Sequence, residues 1–249
     1  MIKLKTNLKQ FETIINMIGK ISYETDYNFN SEGIKIRAVD PSGTYLGIFN
    51  ISKDMFDEYE LEKDQTITLQ NDLFSKLVKK VGKTEMNIEM LEDKIQLSNK
   101  KDKFTLKFFV GQVDKRPDPN PECASVWSMK SSEFSKIIND MSNLGVICCL
   151  DGSDILKIKM KSNMVEGETI TSATKIQSED CYCFYDLSFI EPVTNSKDLF
   201  DNIRVGFGAD TPCIIKGTNK YLKFVYIVAP RVEWENEEEP QTQMWKEDS

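Results

Sequence analysis

Residues 28–59 read N-F-N-S-E-G-I-K-I-R-A-V-D-P-S-G-T-Y-L-G-I-F-N-I-S-K-D-M-F-D-E-Y. Ile34, Ile36 and Ala38 alternate with Lys35, Arg37 and Val39, the period of a half-buried strand. Asp40-Pro41-Ser42-Gly43 is a turn: Asp accepts backbone N–H bonds, Pro fixes its own φ, and Gly tolerates positive φ. Tyr45-Leu46-Gly47-Ile48-Phe49 resumes an extended run. The stretch therefore predicts a hairpin within a sheet.

The 249 residues suit one large domain or two of about 120 each. Hydrophobic residues make up 40% and charged residues 29%, enough for a core under a solvated surface. No apolar run approaches the ~20 residues a membrane helix needs. The start M-I-K-L-K-T lacks the apolar region of a signal peptide. Cys123, Cys148, Cys149, Cys181, Cys183 and Cys213 form no C-x-x-C pair and are expected as buried apolar side chains, without a metal site or disulfide framework. Histidine is absent, which excludes His-based triads and His-ligated metals. The net charge of −8 argues alone against a nucleic-acid partner. Residues 233–249, however, hold seven acids and one lysine, so residues 1–232 carry only −2.

Ile2–Thr6 reads as a strand. Leu8, Phe11, Ile14, Ile15 and Ile18 then follow a helical period that ends near Gly19, with Lys5, Lys9 and Lys20 off the apolar stripe. After the hairpin, Thr66–Leu69 is a strand, and Asn71 or Asp72 offers an N-cap. The next helix places Leu73, Phe74, Leu77, Val78 and Val81 on one face. Lys76, Lys79, Lys80 and Lys83 recur at i, i+3, i+4 and i+7 on the other. Such a stripe is either a solvated face or one aimed at phosphates. The like charges repel by a few tenths of a kcal/mol per pair, which a polyanion would offset. Residues 86–90, 94–98 and 104–110 follow as three strands, the last with Phe104, Leu106, Phe108 and Val110 on one face. Strand, helix, three strands has then occurred twice.

Residues 111–123, G-Q-V-D-K-R-P-D-P-N-P-E-C, hold three prolines in five positions and read as an extended connector. The unit then restarts. Residues 125–129 form a strand, and Ser131 or Ser132 caps a helix with Phe134, Ile137, Ile138 and Met141 inward and Lys136 outward. A hairpin spans 146–160, turning at Asp151-Gly152-Ser153-Asp154. Residues 169–176 form a polar edge strand, and 181–185 leads into a short apolar segment, 187–193, that Pro192 makes a poor helix. Residues 203–207, 213–216 and 222–228 are three more strands. The expected architecture is α+β: two similar domains of repeated strand-helix-three-strand units over 1–110 and 124–233, joined by 111–123 and followed by an acidic, disordered tail over 234–249.

The wording S-E-G-I-x-I-x-A-V-D-P-S-x-x-x-L at 31–46, with F-G-A-D-T-P at 207–212 and A-P-R-V-E at 229–233, resembles the sliding clamps of the PCNA family, in its archaeal-like form. With the connector and the fourfold unit, the resemblance covers nearly all of 1–233. It implies a non-catalytic DNA polymerase processivity factor without cofactors. Three subunits close head to tail, with sheets outside and helices lining a hole that encircles duplex DNA. It implies non-specific phosphate contacts from Lys5, Lys9, Lys20, Lys76, Lys79, Lys80, Lys83, Lys136 and Lys197. The joining edges would be Phe104, Leu106, Lys107, Phe108 and Val110 against Thr169, Thr171, Ala173 and Lys175. A partner-peptide pocket beneath 112–121 would use Val39, Thr44, Leu46, Pro212, Ile227, Val228, Ala229, Pro230 and Val232. The implied partners are a DNA polymerase, a clamp loader, a flap endonuclease and a ligase, and the place of action is the nucleoid or the nucleus. In the fourth inner helix Glu191 and Pro192 stand where lysines would be expected.

Three other readings compete. One is a specialised subunit of a heterotrimeric or checkpoint-type clamp, and another is a monomeric processivity factor binding DNA on a basic face. The third is a carboxylate-metal nuclease, for which no acid constellation is present.

Overall fold

The computed structural model describes residues 2–114 and 116–231. The predicted unit occurs four times. The first comprises β1 (Ile2–Leu4), α1 (Leu8–Ile21), β2 (Glu24–Asn30), β3 (Gly33–Val39) and β4 (Tyr45–Ser52). A short β5 (Glu58–Tyr59) precedes the second: β6 (Gln65–Gln70), α2 (Asn71–Val81), β7 (Met86–Met90), β8 (Lys94–Ser98) and β9 (Lys103–Lys107). β10 (Phe109–Val110) follows. The third is β11 (Ser125–Lys130), α3 (Ser131–Ser142), β12 (Ile147–Gly152), β13 (Leu156–Lys161) and β14 (Glu166–Ile170). After β15 (Thr174–Ser178), the fourth is β16 (Cys181–Asp186), α4 (Leu187–Ile190) running into a 3₁₀ stretch (Glu191–Asp198), β17 (Asn202–Phe207), β18 (Cys213–Thr218) and β19 (Leu222–Val228).

One sheet takes the order β10-β6-β2-β3-β4-β19-β18-β17-β11-β15, and so passes through both halves of the chain. The halves meet where β4 pairs antiparallel with β19, from Tyr45↔Val228 to Ile51↔Leu222. Smaller sheets, β5-β1-β7-β8-β9 and β14-β13-β12-β16, complete the two halves. α1 packs against α2 and against 191–198, which in turn packs against α3. The helices thus form a row on one side of the large sheet. Alternation explains the placement. Ile34, Ile36 and Ala38 of β3 face that row and are buried, while Lys35, Arg37 and Val39 face the other way.

Several expectations are corrected. The strand predicted over 104–110 is two strands, because the chain leaves the five-stranded sheet after Lys107 and joins the ten-stranded one at Phe109. Residues 169–176 break likewise: Thr169 ends in β14, Lys175 belongs to β15, and Thr171 and Ala173 lie between. Glu133 of α3 holds that break by accepting from the Ser172 N–H at 2.7 Å and its hydroxyl at 2.5 Å. Asn71 and Ser131 do not cap their helices; the N-caps are Gln70 and Lys130, without side-chain bonds. Both side chains are buried and used elsewhere. Asn71 accepts from Tyr27 Oη at 2.8 Å and donates to Ser22 O at 2.7 Å, and the Ser131 hydroxyl donates to Phe200 O. Leu73, placed on the apolar face by the period, is 42% exposed. α2 ends at Val81, so Lys83 lies beyond the helix rather than on its stripe.

Candidate nucleic-acid interface and docking surface

The helix row carries most of the predicted phosphate contacts. Lys5 lies in the turn that leads into α1. Its N–H donates to Asp57 at 2.6 Å, and Thr6 gives the same carboxylate a further N–H at 3.1 Å. Lys9 and Lys20 stand eleven residues apart, about three helical turns, and so share one side of α1. All three are exposed. On α2, Lys76 pairs with Asp72 at 2.7 Å and Lys80 with Asp102 at 3.7 Å. On α3, Lys136 pairs with Asp140 at 2.5 Å. Lys5, Lys9, Lys79, Lys83 and Lys197 are exposed and make no ion pair among the described residues. The fourth position departs from this pattern. Glu191 opens the 3₁₀ stretch and approaches Lys20 at 3.9 Å, so an acid stands in the row beside one of its lysines. Surface pairs of this kind contribute little, and a phosphate can displace the carboxylate.

The opposite face of the large sheet carries the connector. Arg37 Nε lies 3.3 Å from Asp114, and Arg37 Nη1 donates to the carbonyls of Arg116 at 3.4 Å and Pro117 at 3.3 Å. Lys35 reaches Asp118 at 3.2 Å, and Lys216 of β18 donates to Asn120 at 2.9 Å. The hydrogen-bonding Arg116 side chain, with Arg37 nearby, holds the Asp114 carboxyl well below the usual carboxylate range. Residues 112–114 and 116–120 are thus strapped across three basic side chains.

Beside the strap runs an apolar row set by register. Val39 pairs with Leu46, Leu46 with Ile227, and Ile227 with Ile214. A cleft of about 590 Å³ between β3 and the strap includes Val39. Another of about 740 Å³ beneath 120–124 includes Ile214. The row therefore spans the outer face from one cleft to the other. Val39 is 36% exposed, Leu46 half-buried, and Ile227 and Ile214 buried, although all four face away from the helices. Thr44 accepts from the Ala229 N–H at 2.9 Å, which holds the Asp40 turn to the start of 229–231. Pro212, Ala229 and Pro230 are half-buried nearby in sequence. Val228 does not belong to this surface: it is fully buried in the core and pairs with Tyr45 and Cys213 on the helix side. Val232 and the tail lie outside the described residues. Ile48, Ile214 and Arg37 were missed as parts of this face. The apolar run Tyr45–Phe49 was the signal for Ile48, since a strand apolar on both faces is covered on both.

Both ends of the large sheet, β10 and β15, are edges. So are β9 and β14 in the smaller sheets. Phe104, Leu106 and Phe108 are half-buried against the core, whereas Val110 is 89% exposed. Phe109 and Ile170, which the alternation left out of the predicted edges, are 64% and 60% exposed.

Residues 3–116 match the family model described as proliferating cell nuclear antigen, N-terminal domain. The matched domain of the PCNA family covers the first part of this chain, a little under half of it. A DNA polymerase sliding clamp of Nanoarchaeum equitans is 23% identical over 242 residues, covering 90% of this chain and 96% of that one. One from Methanococcus maripaludis strain C5 is 24% identical over 255 residues, covering 94% and 100%. Among solved structures, the PCNA2–PCNA3 complex from Sulfolobus tokodaii matches with a TM-score of 0.83 at 21% identity, over 93% of this chain and 99% of that one. PCNA from Entamoeba histolytica matches with the same score at 20% identity. These similarities span both halves, so the PCNA fold extends beyond the region of the family model. Among the described residues no helix is long and apolar enough to cross a membrane.

Proposed function

We propose that this chain is a sliding clamp of the PCNA family that closes, as a trimer, into a ring around duplex DNA and tethers replication enzymes to it. The observation that carries the reading is the sidedness of the large sheet. Its helices lie in one row bearing exposed lysines, and both its ends are unpaired edges. An edge at each end favours head-to-tail addition, which closes when the rotation permits and leaves no edge free. The helix row then lines the hole. Residues 1–110 and 124–233 serve as the two clamp domains. Lys5, Lys9, Lys79 and Lys83 carry most of the phosphate contact, with Lys20, Lys76, Lys80, Lys136 and Lys197 around them. Long, singly charged side chains hold phosphate without reading sequence, so the ring slides. Peptide segments of a polymerase, a clamp loader, a flap endonuclease or a ligase dock on the row Val39–Leu46–Ile227–Ile214, flanked by Thr44, Pro212, Ala229 and Pro230. The chain itself catalyses nothing.

A ring reaches linear DNA only by threading over an end, and this gives the test. Short duplexes carrying biotin at both ends are mixed with the protein before or after streptavidin, and the bound fraction is measured. Blocking first should abolish binding, and blocking second should trap the protein. Equal binding in both orders would mean attachment to a basic face and would overturn the ring. K79A/K83A should lower the trapped fraction at about 0.15 M salt more than K76A/K80A does, because the latter pair already faces carboxylates.

A further inference from the structure

The four-stranded sheet ends at β16, and no further strand lies along that end among the described residues. Cys181, Cys183 and Tyr185 of β16 face inward; Cys183 and Tyr185 are buried and Cys181 is half-buried. Tyr182, 55% exposed, and Phe184 face outward, with their rings edge to face at 5.9 Å. A single residue already sits on this edge. Arg231 bridges Phe184 in the antiparallel sense: its N–H donates to Phe184 O at 2.8 Å and its guanidinium to Asp186 at 3.2 Å. Successive strand residues turn their backbone groups to opposite sides, so the N–H and C=O of Tyr182 point to the same edge as those of Phe184. The bridge thus sets a register where the described residues end. In that register Val232 falls opposite Cys183, Glu233 opposite Tyr182 and Trp234 opposite Cys181.

We infer that residues 232–235 continue from Arg231 as a fifth strand on β16, so that the chain's own C-terminal segment closes this edge. The sequence R-V-E-W-E at 231–235 alternates in step with the register. Residues opposite each other share a face, so Val232 and Trp234 turn inward with Cys183 and Cys181, while Glu233 turns outward with Arg231 and Tyr182. A slip of one residue would put Trp234 in solvent and Glu233 against the core. The occupant is this segment rather than another molecule because Arg231 is already paired. Each further pair then closes no new loop, whereas a foreign strand must first lose its translational freedom. The open backbone groups of Tyr182 gain partners, and an exposed edge is removed. The acidic residues that follow, Glu237 to Glu239, leave the sheet near Glu179, whose N–H donates to Ala124 O at the end of the connector. The inference is independent of the clamp reading, since it concerns an edge within one chain.

Two measurements on the full chain test it. The first follows hydrogen exchange at the Tyr182 amide in wild type and in Glu233→Pro, which has no N–H to give Tyr182 O and cannot hold the pairing. Exchange should be about tenfold slower or more in wild type. Equal rates would show the edge to be open and overturn the inference. The second reads the register. Residues 234 and 181 form a non-hydrogen-bonded pair, whose Cα atoms stand about 4.5 Å apart, within reach of a disulfide. With oxidised glutathione, Trp234→Cys should cross-link to Cys181, as located by peptide mapping. Glu233→Cys and Glu235→Cys face outward and should cross-link to Cys181 about tenfold less or not at all. Equal cross-linking by all three variants, or none by Trp234→Cys, overturns the register and the proposal with it.

Discussion

At the level of single residues, a buried polar side chain ties two elements together. Asn71 stands at the start of α2, fully buried, and satisfies Tyr27 Oη, Ser22 O and Thr25 Oγ1 at 2.7–2.8 Å. It thus fixes the helix to β2 through buried hydrogen bonds. Asn71→Ala should cost about 1–3 kcal/mol in a denaturant titration, because the Tyr27 hydroxyl and the Ser22 carbonyl stay buried and unpaired. In a cycle with Tyr27→Phe the double variant should lose less than the two single losses combined; simple additivity would mean the two side chains do not act together. The carboxylates of Asp40 and Asp57 work at turns. Burial pushes the Asp40 carboxyl up, but bonds from the Ser42 hydroxyl and the Tyr45 and Ser42 N–H groups bring it below its ordinary value. Asp57 is lowered first by the Thr6 hydroxyl and then by the Thr6 and Lys5 N–H groups. Both folded values lie under the unfolded one near about 3.9. Their stabilisation is therefore complete above that pH and lost as pH falls through the lower folded values. The unfolding midpoint should drop below about pH 4, and Asp40→Asn with Asp57→Asn should flatten that drop; an unchanged pH profile would discount both turns.

At the level of elements, the helical period placed α1, α2 and α3, and the two-residue period placed β3 and β4. What escaped the sequence was nonlocal. β2 reads E-T-D-Y-N-F-N, with Asp and Asn that strands disfavour, yet Thr25, Tyr27 and Phe29 alternate into the core. The alternation Phe104-Leu106-Phe108-Val110 continues smoothly while the chain changes sheets at Phe108, because local pattern says nothing about which neighbour a strand will meet. The candidate docking face was half legible for the same reason. Val39 and Leu46 lie within one hairpin, but Ile214 joins them only through register across β19. The connector could be placed in the chain from its prolines, whereas its anchoring on Arg37 depends on Asp114 and Asp118 arriving from about eighty residues away. That anchor makes a prediction. Arg37→Ala removes both ion pairs and the bonds to Arg116 and Pro117 carbonyls. Trypsin cleavage after Lys115, the Arg116–Pro117 bond being resistant, and amide exchange in the connector should therefore rise severalfold. Unchanged cleavage would mean the strap is held elsewhere.

At the level of the whole molecule, the four units share one continuous sheet, and the decisive contact is the one between β4 and β19. Gly47 of β4 lies at this junction, opposite Tyr226, where a Cβ would come 2.6 Å from Ile21 Cδ1. Next to it Phe49 meets Phe224 with ring centres 5.0 Å apart, and Phe224 stacks in turn on Phe200. The aromatic contact thus runs from the first half of the chain into the second. If the connector alone joined the halves, they would unfold separately, as multidomain chains commonly do. A paired strand and a shared aromatic core make each half's edge depend on the other, so a single calorimetric transition is expected. Phe224→Ala, at a residue 1% exposed, should lower stability by about 3–5 kcal/mol and move the whole transition. Two peaks, with only the later half displaced, would show that the junction transmits nothing. A single displaced peak would mean that strand pairing across the junction, rather than the connector, couples the two halves.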